Sequence, residues 1–318
     1  MRRSAIAVLT CVVSMGAGAH PGNGIDVAPD GTVYFADVAR QTIWRLDPSG
    51  SLEELVTDRW THSLDLAPDG TLYYEREVVT NGVAPASFWR IRPDGTHERL
   101  IPPQSDRRQF AGGDFGVDHE GSVYYAHNVR GADDRWRTLI MRRTMGGEVE
   151  AFTGLGDGEL YQDGDAGIAT IRIVTGMDMG PDGALYFADR DHIRRVEIGG
   201  EHAGRISTIA SGLIDQRPHN PPDRRSPPTT RNRLYGIKVD VDGSVLVAYQ
   251  AGRRVMRVAP SGEVEVVHES EGRWSPIGVA PHEGDVYILE VGDGSIEDLR
   301  VLRCDPDGET EIVARLSR

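Results

Sequence analysis

Lysine is almost missing from this 318-residue chain: Lys238 is the only one, and every other basic residue is arginine. The plain reading of the arginine preference is a coding bias. The lone lysine still marks a position, because an ammonium can lose its proton and a guanidinium effectively cannot. Cysteine is nearly as scarce, with Cys11 and Cys304 alone. Cys11 falls in an N-terminal leader, so the mature chain keeps one thiol and no internal disulfide. Cys304, in the alternating stretch VLRCDPDG with no histidine beside it, is expected to be buried and inert. Positive charge is also short: 35 Lys and Arg against 49 Asp and Glu leave a formal charge of −14. Such a surface repels phosphate backbones and anionic lipid, which excludes nucleic acid as a natural partner. No Gly-x-Ser-x-Gly elbow, His-Glu-x-x-His pair or phosphate loop occurs. The Gly156-Asp157-Gly158-Glu159 and Asp163-Gly164-Asp165 segments lack the spacing of a helix–loop–helix calcium site.

The N-terminus reads as a secretory signal over residues 1–19. Arg2 and Arg3 form a charged start, Ala5–Val13 an apolar stretch too short to span a bilayer, and Ala17-Gly18-Ala19 a small-residue cleavage site. Cleavage after Ala19 removes both arginines and lowers the formal charge to −16. The expectation is a secreted or periplasmic monomer with no membrane insertion after cleavage.

What the chain does have is a repeated phrase. A short apolar run, a turn with Asp-Gly or Glu-Gly, and an alternating strand recur six times: GIDVAPDGTVYFAD from Gly24, SLDLAPDGTLYYE from Ser63, DFGVDHEGSVYYAH from Asp114, GMDMGPDGALYFAD from Gly176, GIKVDVDGSVLVAY from Gly236 and PIGVAPHEGDVYILE from Pro276. Further turns, such as Asp47-Pro48-Ser49-Gly50 and Asp305-Pro306-Asp307-Gly308, set off two more strands per copy. Four strands per unit, six units and no helical period between them predict an all-β, six-bladed β-propeller with four antiparallel strands per blade. The blades fall roughly at 20–59, 60–110, 111–155, 156–214, 230–274 and 275–318, with a Pro/Arg-rich insertion at 215–233. The last unit holds four strands of its own, so the ring is expected to close by packing. The long connections gather on one face, which points to function there.

The stretch DGDAGIATIRIVTGMDMGPDGALYFADRDHIRRV, Asp163–Val196, resembles the NHL repeat of bacterial propellers, and the first copy with Tyr34-Phe35-Ala36-Asp37 is similar to it. The related senescence-marker-protein/gluconolactonase propellers share the six-bladed plan. That resemblance implies structural roles for Asp37 and Asp189, and in the lactonases a divalent cation held by Glu, Asn and Asp. Here Asn23-Gly24 matches the Asn-Gly element, but in the first blade. Glu is absent from the equivalent inner-strand starts, and Thr175 and Tyr235 stand where that pattern has Asp. The inherited triad is not intact.

Aligning the turns generates rings of equivalent residues around the axis. Strand-start positions carry Asn23, His62, Thr175, Tyr235 and Ser275, with Asp114 next to the ring and Trp60 and Trp274 flanking it. One step deeper lie Asp26, Asp65, Asp178 and Lys238. The second strands end on Asp37, Arg76, His127, Asp189, Tyr249 and Glu290, with Glu75 beside Arg76. Two functional readings follow. In the first, a small polar molecule, peptide or glycan binds the loop-bearing face through Trp60, Asn23, Asp114, Arg76, Tyr235, Tyr249, Trp274, Glu290 and Lys238. In the second, His62, His127 and Glu75 act as an acid–base set in a metal-assisted hydrolase, lactonase-like enzyme or lyase. Asp26, Asp65 and Asp178 are either ligands of a divalent cation (calcium, zinc or manganese) or members of an internally satisfied ion-pair cluster with Lys238.

Overall fold

A computed structural model describes residues 22–57, 60–77, 86–102, 114–130, 136–215, 232–293 and 295–317. The expected leader at 1–19 and nearly all of the insertion at 215–233 lie outside the described residues, as do most of the long connections after the second strands of blades two and three. Among the described residues there is no helix.

Twenty-four strands form six sheets, each a run of four consecutive antiparallel strands. Blade one is β1 (Ile25–Val27), β2 (Val33–Asp37), β3 (Thr42–Leu46) and β4 (Leu52–Val56). Blade two is β5 (Leu64–Leu66), β6 (Leu72–Glu77), β7 (Ala86–Ile91) and β8 (His97–Ile101). Blade three is β9 (Phe115–Val117), β10 (Val123–Arg130), β11 (Trp136–Arg143) and β12 (Val149–Thr153). Blade four is β13 (Val174–Met179), β14 (Leu185–Asp189), β15 (His192–Val196) and β16 (Ile206–Ala210). Blade five is β17 (Ile237–Val239), β18 (Val245–Tyr249), β19 (Arg254–Val258) and β20 (Val264–Glu269). Blade six is β21 (Trp274–His282), β22 (Asp285–Gly292), β23 (Ser295–Cys304) and β24 (Thr310–Leu316).

The first strand of each blade touches the first strand of the next, and β21 touches β1, so the inner strands close a ring around one axis. The core is not one mass but six wedges, one per blade-to-blade contact. Phe35 and Leu46 meet Leu289 and Val301 where blade six returns to blade one. Phe88 meets Phe115 and Tyr125 between blades two and three, and Leu246 meets Ile288 and Leu302 between blades five and six. This follows from strand alternation: Phe35 faces one neighbouring blade and Ala36 the other, so successive side chains feed different wedges. The outer strands are only half covered, as in β4 and β20.

The recurrent Asp-Gly is a turn requirement. Gly31, Gly70, Gly121, Gly183, Gly243 and Gly284 all adopt φ between +75° and +94° in the turn joining the first two strands. In four of these turns the preceding aspartate (Asp30, Asp69, Asp182 and Asp242) accepts a hydrogen bond from the N–H two residues on. Asp37 and Asp189 are structural, as the repeat implies. Asp37 accepts from the Arg40 N–H and guanidinium, and Asp189 from the N–H groups of Arg172 and Ile173 and from Arg194. Arg194 is fully buried and also donates to Asp163 and to the carbonyls of Gln162 and Thr170, which anchors the 154–173 connection as a fixed inter-blade strap. Burial pushes the Asp189 carboxyl up to about 6, against those donors. Cys304 is buried at 1 % exposure, and burial raises its thiol, as expected for an inert cysteine.

A second class of glycine sets the spacing of the inner strands. A Cβ on Gly278 would lie 2.2 Å from the Asn23 carbonyl, and one on Gly176 2.5 Å from that of Tyr235. Backbone from adjacent blades fills the space, so no side chain can yield. Gly278→Ala and Gly176→Ala should each destabilise the chain by roughly 1–3 kcal/mol. Gly167→Ala, with open space around it, should be near neutral. Urea unfolding of the three variants measures the difference, and equal midpoints would refute the close-approach account.

Candidate functional site

The axis carries two polar layers with opposite character. The deeper one lies toward the tight turns. Lys238 extends from blade five across the axis, and its Nζ donates to Asp26 Oδ2 at 2.6 Å, Asp65 Oδ1 at 2.6 Å and Asp178 Oδ1 at 3.2 Å. The carboxylates come from blades one, two and four. Two of them also reach a neighbouring blade's backbone: Asp26 Oδ2 accepts from the Leu66 N–H at 2.9 Å, and Asp178 Oδ2 from the Val239 N–H at 2.7 Å. Lys238 Nζ therefore occupies the point where the three carboxylates converge. A divalent cation there would have to share that point with an ammonium, so the residues present do not fit one. Among the described residues no three His, Cys, Asp or Glu side chains are arranged to hold a metal ion.

Three carboxylates against one ammonium leave the layer electrostatically unbalanced. Burial raises Asp26, and it drives Asp178 up to about 7; Lys238 opposes the rise, and repulsion from Asp65 and Asp26 adds to it. Burial works against the ammonium as well, but Asp178, Asp26 and Asp65 outweigh it and hold Lys238 well above the ordinary lysine value.

The second layer is at the strand starts, on the face of the long connections. Asn23 donates through Nδ2 to Asp114 Oδ1 at 2.7 Å and to the Thr175 carbonyl at 3.3 Å, linking blades one, three and four. Glu75 accepts the His62 backbone N–H at 2.5 Å through Oε1, and the same oxygen lies 3.3 Å from His62 Nδ1. Among the described residues its other oxygen, Oε2, is buried without a hydrogen-bond partner, as are the hydroxyls of Thr61 and Thr175. Burial raises Asp114, against the Asn23 hydrogen bond and the charges of Arg233 and His62, and the Glu75 charge adds to the rise. Between the layers a narrow axial cavity of about 10 Å³, room for about one water, is lined by Asn23, Ser63, Asp114 and Lys238 and by Gly24, Gly176 and Gly236.

Glu75 is the anomaly of this layer. Its register equivalents in the other blades are Ala36, Ala126, Ala188, Ala248 and Leu289. A carboxylate at 0 % exposure thus stands where four other blades carry a methyl group. The ring alignment contains that signal, once the position before the strand end is compared. Thr61, Thr175 and Arg233 carry no comparable signal in the sequence.

The remaining predicted residues have other partners. Trp274 is 7 % exposed, with the guanidiniums of Arg273, Arg300 and Arg315 4.5–5.5 Å from its ring, so it offers no open stacking face. Tyr235 is buried beneath Arg233. Tyr249 is buried, donating through its hydroxyl to Asn232 Oδ1 and accepting from the Asp215 N–H. Arg76 stacks 5.1 Å from the Trp89 ring. Glu290 accepts from Arg300 Nε at 2.5 Å and lies 3.5 Å from His268 Nε2; although burial opposes it, these partners and Ser270 hold its carboxyl below the usual range. Trp60 is half-buried, and His127 is half-buried on β10 opposite Leu139. Asn23, His62, Glu75 and Asp114 are therefore the predicted residues gathered at the mouth.

No family model and no curated protein matches the chain. Solved structures do resemble it. A streptogramin B lyase is 17 % identical with a TM-score of 0.53, covering 95 % of this chain and 84 % of its own. A gluconolactonase from Xanthomonas campestris is 13 % identical with a TM-score of 0.55, covering 87 % and 85 %. A calcium-binding protein, regucalcin, from Agrobacterium tumefaciens is 14 % identical with a TM-score of 0.56, covering 95 % and 92 %. At such identities the likeness is one of fold. The six-bladed propeller is common to this chain and to proteins that include a lactonase, a lyase and a calcium binder.

The deep layer makes stability depend on pH in a stated direction. A carboxyl raised in the folded chain holds its proton more tightly there than in the unfolded chain. The stability Asp178 contributes is complete below its ordinary 3.8 and is lost as pH rises through about 7. Asp178→Asn should lose less melting temperature between pH 5 and pH 8 than the parent chain, by calorimetry. Lys238→Met strands three carboxylates and should cost about 3–5 kcal/mol at pH 7. Parallel pH profiles, or an unaltered Lys238→Met midpoint, would contradict this assignment.

Proposed function

We propose that this chain is an exported, monomeric, NHL-like propeller that binds a small polar ligand at the axial mouth ringed by Asn23, His62, Glu75, Asp114 and Thr175. The observation that carries the reading is Glu75 Oε2, a fully buried carboxylate oxygen with no hydrogen-bond partner among the described residues. Leaving such an atom unpaired costs on the order of 1–3 kcal/mol, a cost a ligand donor removes. Asn23 and Asp114 line the narrow axial cavity, and convergent polar groups of this kind suit a small polar ligand better than a flat macromolecular contact. Trp274 and Tyr235, being buried, are not assigned to that ligand.

A second reading rests on the His62–Glu75 contact at 3.3 Å. A carboxylate on Nδ1 orients an imidazole and raises its basicity, which is how a general base is positioned. In this reading the chain is a hydrolase, lactonase-like enzyme or lyase acting at the same mouth, and no step is routed through a metal.

A thermal-shift screen of small polar molecules separates the cases. Compounds that raise the melting temperature of the parent chain should lose that effect in Glu75→Ala, a variant that restores the residue found in four other blades. Shifts that survive would move the site elsewhere. For any compound that is turned over, His62→Ala should lower kcat/KM by about 10²-fold or more while the fold persists. Full turnover in that variant would remove His62 from the chemistry.

A further inference from the structure

We infer that the axial cavity is a binding site for one water molecule, held by Asn23, Ser63 and Asp114 above the Lys238 layer. The place begins in the repeats. At the position where the six copies start, the chain carries Gly24, Ser63, Asp114, Gly176, Gly236 and Pro276. Three glycines leave the axis unfilled at that height, and Ser63 and Asp114 bring polar groups to it. Five of these residues line the cavity, and Val279 of β21 adds the sixth blade, so every blade contributes to one spot.

Size and charge select the occupant. About 10 Å³ admits a single water and no organic molecule. An ammonium and a carboxyl line the cavity together. A cation is therefore opposed by Lys238 and an anion by Asp114, whereas a neutral dipole is opposed by neither. Apolar groups, Ile25, Leu64 and Val279 among them, close in the rest of the wall and hold the site narrow.

Hydrogen bonding gives the same answer. Asn23 directs its amide nitrogen to Asp114 Oδ1 and the Thr175 carbonyl, and Lys238 directs Nζ to Asp26, Asp65 and Asp178. Among the described residues no donor reaches Asn23 Oδ1 or Asp114 Oδ2, and the Ser63 hydroxyl has no hydrogen-bond partner. Two acceptors and a hydroxyl call for a partner that both donates and accepts, as water does; a buried water ordinarily makes about three such bonds. The water is then the floor of the mouth. For a ligand held there, and resting on the reading proposed above, it is a partner able to donate or accept, with the Lys238 charge one water's width beneath it.

The test is a high-resolution crystal structure of the purified chain, paired with water-to-amide cross-relaxation measured by NMR in solution. The expected result is one full-occupancy water within about 3.2 Å of at least two of Asn23 Oδ1, Ser63 Oγ and Asp114 Oδ2. Water cross-peaks to the amides of Gly24, Gly176 or Gly236 should accompany it. Ser63→Val removes the hydroxyl and puts methyl groups in its place, and should abolish both signals. Far-UV circular dichroism reports whether that variant is folded; if it is not, Ser63→Ala, which adds no bulk, should still weaken the cross-peaks. The parent chain by itself can decide against the site: a dry cavity without cross-peaks overturns it. A peak with anomalous signal in crystals grown with bromide or manganese would give the cavity to an ion and overturn it as well. Cross-peaks unchanged in a folded Ser63→Val would put that water outside the cavity, with the same consequence. None of these outcomes requires a ligand, so the water site and the ligand reading fail independently.

Discussion

The Lys238 ammonium spans the axis, and the registry of the ring depends on it. A propeller built from near-identical units has a weakness: its wedges of Phe, Tyr, Leu and Ile resemble one another, and apolar contact alone tolerates small slips. Hydrogen-bonded charges do not. Lys238 from blade five reaches carboxylates of blades one, two and four, and two of those carboxylates hold the backbone of a neighbouring blade at Leu66 and Val239. A shift of any of these blades by one residue breaks at least one such contact. Geometric definition is gained at the expense of burying charge, and that burial raises the Asp26 and Asp178 carboxyls. The six apolar wedges, including the one that joins blades six and one, must offset that cost.

The two axial layers differ in completeness. In the deep layer each carboxylate meets Lys238 directly. At the mouth a fully buried oxygen of Glu75 and the hydroxyls of Thr61 and Thr175 have no hydrogen-bond partner among the described residues. Buried polar atoms are nearly always paired, so each exception asks for an account; others lie away from the mouth, at Gln250, His268 and Glu290 among them. The contrast also assigns the parts: the deep layer serves the scaffold, and the mouth has chemistry to spare.

The architecture was legible because its signals are local and repeated. A turn with φ near +80° demands glycine, and six such turns spaced along the chain announce six blades. The rings of equivalent positions brought Asp26, Asp65, Asp178 and Lys238 together correctly, since strand register carries residues to the same height. The alternatives left open there depended on the length and reach of one side chain, which register does not encode. Trp274 looked like a stacking platform because tryptophan beside a strand start is usually half-exposed. Three arginines, one from the residue before it and two from β23 and β24, cover it. Arg233 escaped notice because its charge acts on Asp114, in a blade far away in sequence. Glu75 was chosen for its chemistry, and the structure adds the sharper reason, a carboxylate in an alanine slot.

The bridge across the axis also bears on traffic. With Lys238 spanning the channel toward the tight turns, a molecule held near Asn23 and Asp114 has its open route on the side of the long connections. Entry and exit then share one path. For a ligand bound there, residence time would be governed by the connections that border that mouth, and lengthening or shortening them would alter how long a molecule stays while leaving the groups that hold it untouched.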